Sequence, residues 1–596
     1  MTAHEALKTY FGYDNFRPLQ EEIIQSVLDG RDTLALMPTG GGKSLCFQVP
    51  TMAMGGLCLV ITPLIALMKD QVENLRRRDI RAAAIYTGMT YEQQKVALDN
   101  CQWGPYHFLY VSPERLESEE FRERLARLPI CLIAVDEAHC ISQWGYDFRP
   151  SYLKIAEIRE VIRGKREKGE EARRQAVPIL ALTATATPDV VDDIQERLAF
   201  REKNVLRKSF LRQNLSYVVR QTNKKADEIV HILSKVPGSA IVYVRNRQRA
   251  QELAAYLNEK GLSADFYHAG LTSKERAAKQ EAWRAYPHPL PKGKGVTRVM
   301  VSTNAFGMGI DKPDVRMVIH HDLPDTIEAY FQEAGRAGRD EQRAFAVLLY
   351  DPAQDKAKAR KRVSDNYPPK EFVTDVYHKT CDFLGVGAGS GQGHTFMLPI
   401  NDLCRIMHLP ILQTYSALHL LTQAGYICFQ EEQEIQPRVK ILISQREMNE
   451  YGLSEQQYKL LELLMRKYSG IFTDLQYVHF DQLTTPITNS PSPMANRQSL
   501  DDLLVSLAQR HIITYIPHDT ANTLTFTRER QTDIYLPTTI YDNHRQQYIE
   551  KLKAMVEYAD NQLYCRSQLL LSYFGETDAT TCGTCDVCRQ KTKTQC

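Results

Sequence analysis

From Thr33 to about Tyr350 the chain alternates strand-like apolar runs with helix-length amphipathic segments. Thr33–Met37, Leu57–Thr62, His107–Ser112, Cys131–Val135 and Ile179–Thr183 are the runs of the first half. Ala240–Val244, Val299–Ser302, Met317–His320 and Ala344–Leu349 are those of the second. The runs are continuously apolar, so both faces of each strand need cover, which helices packed on parallel sheets supply. The rhythm predicts βαβ units and an α/β class of doubly wound parallel sheets. A polar break near Arg201–Lys208 divides it into two halves of domain size. With 596 residues the chain is too long for one core and predicts three to five domains.

The net charge is only +2, so any nucleic-acid contact must come from local patches. Met1 to Tyr10 is polar and carries no secretory pattern. The longest apolar run, Leu57 to Met68, is broken by Pro63 and is too short to cross a membrane. The 13 cysteines are scattered and odd in number, which argues against a disulfide framework and for a reducing, cytoplasmic setting.

The chemistry concentrates at strand ends. After Thr33–Met37 comes Pro38-Thr39-Gly40-Gly41-Gly42-Lys43-Ser44, then an apolar segment able to start a helix. Glycine backbone at Gly40, Gly41 and Gly42 lets successive N–H groups curve round phosphate oxygens, and the helix N-terminus adds positive potential. Thr39 belongs to the same loop, Lys43 reaches the β/γ-phosphates of ATP, and the Ser44 hydroxyl ligates Mg²⁺. Met37 stands where the strict pattern has glycine. Asp136-Glu137 ends the run Cys131–Val135, where doubly wound sheets bind ligands. One acid can hold Mg²⁺ and the other can orient an attacking water. Gln332 and Gly335-Arg336-Ala337-Gly338-Arg339 set two guanidiniums three apart, a spacing that predicts one face of a short helix. Such a pair can serve as arginine fingers, worth ~10³–10⁵ in rate for related nucleotide hydrolysis. Ser142, Gln143, Trp144, Phe148 and Arg149 follow the acid pair closely, and aromatic faces stack on bases while Arg149 reaches phosphate.

Past Tyr350 the character changes. Lys356, Lys358, Arg360, Lys361 and Arg362 form a basic run that reads either as a solvated helix face or as a phosphate contact. Asn401–His408, a Leu-Pro turn and Gln413–Gly425 predict helix–turn–helix, and Ile427–Gln430 with Val439–Ser444 predicts a hairpin after it, the outline of a winged helix. A second helix–hairpin unit is expected over Asp501–Gln509, Ile512–Ile516 and Thr523–Thr527. Cys565, Cys582, Cys585 and Cys588 form a cluster whose paired C-x2-C spacing suits tetrahedral Zn²⁺, with Cys596 outside it. Arg545–Leu563 predicts a helix leading to the first ligand, with Leu552, Met555, Val556 and Tyr558 as its apolar face.

Taken together these motifs resemble the RecQ family of DNA helicases, within helicase superfamily two. The resemblance runs from Phe11 to Tyr350 and returns at Tyr564 to Cys588. Phe11 to Gln20 is similar to the family's adenine-reading motif, which implies that Gln20 reads the base edge while Tyr13 and Arg17 flank it. Thr62–Val72 and Tyr110–Leu116 resemble strand-holding elements, and Ser142–Arg149 resembles the aromatic loop that couples DNA binding to hydrolysis. Ser302–Lys312 and Gln332–Arg339 resemble the second lobe's motifs, and Tyr573-Phe574-Gly575-Glu576 with the cysteines resembles the family's zinc module.

The resemblance implies two RecA-like doubly wound parallel-sheet lobes, a winged-helix region and a small C-terminal zinc module docked on the second lobe. The expected domains are residues 1–205 and 206–350 for the lobes, 351–398 for a helical connection, 399–540 for the winged-helix region and 541–596 for the helical arm and zinc module. It implies an ATP-dependent 3′-to-5′ DNA helicase with ATP, Mg²⁺ and Zn²⁺ as cofactors. Lys43, Asp136, Glu137, Gln332, Arg336 and Arg339 would carry the chemistry. Single-stranded and branched duplex DNA are the implied partners, with a single-strand-binding protein or type I topoisomerase by resemblance alone. No membrane association is expected, and a nucleoid location follows in a bacterial host. The family places the zinc module directly after the second lobe; here the winged-helix stretch comes first, leaving no residues for the family's optional C-terminal helical domain. Two rivals stand beside this reading: an RNA helicase, because Asp136-Glu137-Ala138-His139 is also an RNA-helicase signature, and a binding protein with inert lobes.

Overall fold

The computed structural model describes all residues except 39, 64, 87, 88, 90, 143–148, 165–176, 288–295, 308–311, 436, 445, 446, 450, 469, 473–475, 479–496, 511, 517, 518 and 596. Two compact units emerge: Met1–Arg360 with Gln547–Cys596, and Lys361–Gln546.

The first unit contains two parallel sheets, as the apolar rhythm predicts. Lobe 1 holds β1 (Thr33–Leu36), β2 (Leu57–Ile61), β3 (Ala82–Ile85), β4 (Phe108–Val111), β5 (Ile130–Val135), β6 (Ile179–Thr183) and β7 (Val205–Arg207) in the order β3-β4-β2-β5-β6-β1-β7. Lobe 2 holds β8 (Leu215–Gln221), β9 (Ser239–Tyr243), β10 (Ala264–Tyr267), β11 (Val299–Ser302), β12 (Val315–His320) and β13 (Ala344–Tyr350) in the order β10-β11-β9-β12-β13-β8. Central strands such as β1, β2 and β6 are buried along their whole length, which is why their sequences are unbroken apolar runs. The segment read as a polar break contributes β7, hydrogen-bonded to β1, so the lobe boundary falls after Arg207. Only residues 208–214 then join the two sheets.

Registers bring the chemistry to one edge. Ile61 lies beside Val135, and Leu36 beside Thr183. The loops after β1, β5 and β6 therefore leave the same end of the sheet, with β6 between the strands that precede Lys43 and Asp136.

The residues after Gln547 pack back on lobe 2, as the resemblance implies. The helix Asp542–Asp560 buries Met555 and Tyr558 in the core of the first unit, Val556 packs partly buried against the same core, and Leu552 is buried as well. The Tyr558 ring lies 5.4 Å from that of Tyr330, and the Phe574 ring 5.0 Å from that of Phe331. Tyr350 and Lys356 both bond to Asp560, at 2.9 and 2.8 Å. Burying rings of this size stabilises by roughly 1.5–3 kcal/mol each, so the docking is strongly apolar.

The second unit departs from the expected hairpins. Helices Ile400–Ile406 and Ile411–Gln423 form the helix–turn–helix. β14 (Thr395–Met397) and β15 (Ile427–Ile435) both pair with β19 (Asp519–Phe526). β16 (Arg438–Ile441) pairs instead with β17 (Gln476–Tyr477) and β18 (Ile513–Ile516). The strand after β15 is thus not its partner. Some 80 residues separate the two strands of the first hairpin, and the described ones among them build their own core around Leu460, Leu464, Leu500 and Leu504. Both pairings satisfy the same apolar runs, and pairing over some 80 residues leaves no local trace. The helix Lys370–Phe383, expected within a connection, supplies Val373, Val376 and Tyr377 to the core that holds the helix–turn–helix.

Candidate functional site

The phosphate loop opens from β1 into the helix Leu45–Met54. Gly40 and Gly42 have φ of 81° and 80°, a region that excludes most side chains. A Cβ on Gly42 would also lie 2.4 Å from the Gln20 amide nitrogen. That amide donates to the carbonyls of Gly42 at 3.0 Å and Gly41 at 3.4 Å, while its oxygen accepts from the Arg17 backbone N–H at 2.9 Å. Arg17 donates to the Gly40 carbonyl at 2.8 Å. Gln20 and Arg17 therefore grip the loop itself, and Tyr13 beside them is half exposed. Thr39 lies outside the described residues.

The acid pair follows β5. Asp136 accepts from the Glu137 N–H at 3.0 Å, and its own carbonyl accepts from the Tyr152 hydroxyl at 3.0 Å. Glu137 sits at φ 48°, a left-handed conformation that costs of order 1–3 kcal/mol and turns its carboxylate toward the loop. Lys43 Nζ lies 3.9 Å from Glu137 Oε1. His139 bonds to Thr183 Oγ at 3.0 Å and stands 3.4 Å from Glu137, tying the ends of β5 and β6 together. Burial and the neighbouring Glu137 charge push Asp136 up to about 6, against the pull of Lys43. Burial also works to raise Glu137, but the charges of Lys43, His139 and Arg336 outweigh it and hold Glu137 low. The two acids are thus set apart electrostatically, as a pair with different tasks requires.

Arg336 and Arg339 arrive from lobe 2. The spacing predicted a helix face, but the helix Ile327–Ala334 ends before them. They sit on a tight turn whose Gly338 has φ 63°, and a Cβ there would lie 2.6 Å from Asn214. Gly335 and Gly338 explain the break: glycine ends helices readily. Arg336 is buried and donates to the Gly307 carbonyl. The turn is held from outside by Arg212, which donates to the carbonyls of Ala337 at 3.0 Å and Gly338 at 2.7 Å, and by Asn214, which donates to Gly338 at 2.7 Å.

A cavity of about 530 Å³ is lined by Gly40, Gly42, Lys43, Ser44, Asp136, Glu137, Gln332, Arg336 and Arg339. A second, of about 520 Å³, is lined by Tyr13, Arg17, Gln20, Ser44 and Arg339. They share Gly40, Gly42, Ser44, Gln71, Asn74 and Arg339, so two spaces of nearly equal volume meet at the loop. Gln71 and Asn74, on the helix Ile65–Arg76, were not singled out from the sequence as nucleotide-facing; Gln71 lies in a segment read as strand-holding. Arg284 of lobe 2 also lines the larger cavity, 4.0 Å from Asp70.

The coupling loop is only partly described. Gln143, Trp144 and Phe148 lie outside the described residues. Ser142, at the start of that loop, is fully buried. Arg149 is partly exposed, with a guanidinium nitrogen 3.9 Å from Glu114. In the basic run, Arg362 is buried, whereas Lys358, Arg360 and Lys361 are exposed.

The sulfurs of Cys565, Cys582, Cys585 and Cys588 lie within 4.8 Å of one another. Tetrahedral Zn–S bonds of about 2.3 Å place sulfurs about 3.8 Å apart, and Cys565 and Cys582 stand 3.4 Å apart here. Backbone N–H groups of Cys582, Cys585 and Cys588 donate to Cys565, Cys582 and Cys585 sulfur at 3.3, 3.4 and 3.4 Å. Cys565 and Cys585 each directly precede a helix, whose N-terminus favours thiolate. The donor set fits Zn²⁺. Arg566 pairs with Asp586 at 3.0 Å, and Asp586 accepts from the Val219 N–H at 3.2 Å, so residues beside two ligands bind the cluster to β8.

Comparison with known proteins agrees with this geometry. The DEAD/DEAH box helicase profile matches residues 17–194, the helicase conserved C-terminal domain residues 224–341 and the RecQ zinc-binding profile residues 521–589. An ATP-dependent DNA helicase RecQ of Haemophilus influenzae is 41% identical over 353 residues, 59% of this chain and 54% of that one. A probable ATP-dependent DNA helicase RecS of Bacillus subtilis is 40% identical over 353 residues, 58% of this chain and 66% of that one. The RecQ-like DNA helicase blm-1 of Caenorhabditis elegans is 37% identical over 374 residues, 61% of this chain and 36% of that one. The chain spans about half the length of the first curated relatives it matches. Two helicase lobes followed by a four-cysteine module of that zinc-binding type place this chain in the RecQ family.

Proposed function

We propose that the protein is an ATP-dependent DNA helicase that moves 3′ to 5′ on a single strand and separates duplex, fork or junction DNA in recombination and repair. One observation carries the reading: Lys43, the Asp136–Glu137 pair and Arg336 with Arg339 line a single cavity, although they come from two lobes. In this reading Gln20, Tyr13 and Arg17 hold the adenine, and the N–H groups of residues 39–42 with Lys43 hold the β/γ-phosphates. Ser44 and Asp136 would hold Mg²⁺, which when bound neutralises developing phosphate charge. Glu137 takes a proton from the attacking water, Gln332 positions that water against the phosphate, and Arg336 and Arg339 stabilise the transferring phosphoryl group. The arginines belong to lobe 2, so hydrolysis requires lobe closure, and closure with reopening moves the strand.

Strand contact is assigned to the first unit, through residues 142–149. The helix Ile411–Gln423, which would read a duplex, contains no Lys or Arg, and residues 361–546 carry more acidic than basic side chains. A phosphate-binding surface needs the opposite balance. By family likeness we add a single-strand-binding protein or type I topoisomerase as partner, and a cytoplasmic location at the nucleoid of a bacterial host. No helix among the described residues is long and apolar enough to cross a membrane.

The DEAD/DEAH box match keeps RNA as the rival substrate. Hydrolysis measured with single-stranded DNA and with RNA of the same sequence separates the two. Strong stimulation by DNA and weak stimulation by RNA is expected; the reverse order would replace this reading with the rival.

A further inference from the structure

The turn that presents the arginine pair depends on a segment outside both sheets. Residues 208–214 are the covalent link between β7 of lobe 1 and β8 of lobe 2. At its far end, Arg212 and Asn214 bond to the carbonyls of Ala337 and Gly338. At its near end the link is gripped by the zinc module. Ser209 Oγ and the Phe210 N–H each donate to the Glu576 carboxylate at 2.7 Å. Arg207 donates to the Phe574 carbonyl at 3.3 Å. The Phe210 ring is buried 5.3 Å from Phe574 and 5.9 Å from Phe331, the residue before Gln332. Gly575 has φ 84°, and a Cβ there would lie 3.0 Å from the Pro188 ring of lobe 1.

One tip, Phe574-Gly575-Glu576, therefore touches lobe 1, the link and lobe 2 together. Hydrogen bonds to a charged carboxylate are stronger than the neutral kind. A link left without them would be free to rotate about residues 208–211, and Arg212 and Asn214 would lose their fixed aim.

We propose that Glu576 of the zinc module is a positioning residue for the arginine pair: it fixes the interlobe link, and the link holds the turn that carries Arg336 and Arg339 to the phosphate cavity. The inference rests on the proposed function for its catalytic consequence, but the contact itself does not. It also gives the distant cluster a task in hydrolysis: the cysteines brace a tip that braces the link. Loss of Glu576 therefore acts on turnover more than on nucleotide affinity, because Gln20, Lys43 and Ser44 belong to lobe 1 alone.

The test compares full-length zinc-loaded parent, Glu576→Ala, Glu576→Gln and Ser209→Ala. Each is measured for zinc content, thermal midpoint, ATP turnover at saturating single-stranded DNA, and tryptic cleavage after Arg207 and Lys208. Glu576→Ala is expected to keep its zinc and its midpoint, hold KM for ATP within about twofold, and lose about tenfold or more in kcat, since a kcat-only loss marks an interaction made in the transition state. Cleavage after Arg207 and Lys208 should quicken in the same variant. Glu576→Gln keeps an oxygen for the Phe210 N–H and should recover most of both, with Ser209→Ala between. Unchanged kcat and cleavage in Glu576→Ala would overturn the proposal, as would a loss of kcat seen only with loss of zinc or a collapsed midpoint. If the parent itself turns over no ATP, the proposed function fails, and the cleavage pattern alone decides the linker contact.

Discussion

Lys43 Nζ stands 3.9 Å from Glu137 Oε1, bridging the phosphate loop and the acid pair across the floor of the cavity. The ammonium faces the glutamate to which the proposed mechanism gives the water. In the proposed mechanism nucleotide phosphates compete with Glu137 for Lys43 and free the glutamate for proton transfer. Lys43→Ala is expected to abolish ATP hydrolysis, to below a few per cent of the parent rate, while single-strand affinity survives. Filter binding beside a phosphate-release assay checks both halves.

Gly307 offers a way to disturb an arginine without deleting it. A Cβ there would lie 2.8 Å from the Arg336 guanidinium, closer than real contacts allow. The far end of a flexible side chain yields before backbone does, so Gly307→Ala should displace Arg336 from the cavity. Turnover should drop by about tenfold or more, up to the ~10³–10⁵ that such arginines supply. ATP affinity should hold, because the nucleotide's anchors lie in lobe 1; isothermal titration with a non-hydrolysable analogue reads that.

The zinc cluster should behave as part of its unit and not as a tethered bead. Tyr558, Phe574 and Asp586 join it to lobe 2. A module this small draws much of its folding free energy from the metal. Cys585→Ser is expected to lose zinc and to lower the main thermal transition, whereas Cys596→Ser keeps both. A shift confined to a small separate transition would contradict the docking.

Asp32 makes lobe 1 acid-sensitive. Its buried carboxylate pairs with Arg159 at 2.8 Å and Arg201 at 3.1 Å, and accepts from the Ile179 N–H at 3.0 Å. Burial alone would raise its pKa, but the Arg201 hydrogen bonds, the Arg159 charge and the Ile179 N–H win and hold it below the ordinary carboxylate value. A lowered folded pKa gives stability that is complete above the unfolded value and lost as pH falls through the folded one. The loss should therefore begin below about pH 4. Asp32→Asn should cost about 3–5 kcal/mol at neutral pH, because it removes the buried charge that Arg159 pairs with. The gap to the parent should narrow below pH 4 in urea melts.

The limits of sequence legibility follow from what burial writes into a chain. All nine interior strands of the two lobes stand out as apolar runs, because helices cover both faces. The four missed strands, β3, β7, β8 and β10, are the two edges of each sheet. An edge strand tolerates Arg207 or Asp265 on its ladder, so its apolar signal fades. Lys43, the acid pair, the arginines and the cysteines were legible because fixed spacing carries their chemistry. Gln71 and Asn74 were not, since a polar residue on an amphipathic helix looks the same facing solvent or phosphate. Arg212 and Asn214 left no signal either, and Glu576 stood out only within the zinc-module motif and not as a partner of the link: the residues these three bond to lie more than 120 residues away. The swapped hairpins of the second unit failed for the same reason.

Strand displacement on a forked duplex tests the central claim most directly. Parent protein with ATP and Mg²⁺ is mixed with duplexes bearing either a 3′ or a 5′ single-stranded tail, with Lys43→Ala alongside. The account predicts separation of the 3′-tailed duplex, little or none of the 5′-tailed one, and none with Lys43→Ala. Failure to separate either duplex while ATP is hydrolysed, or equal separation by Lys43→Ala, would contradict it.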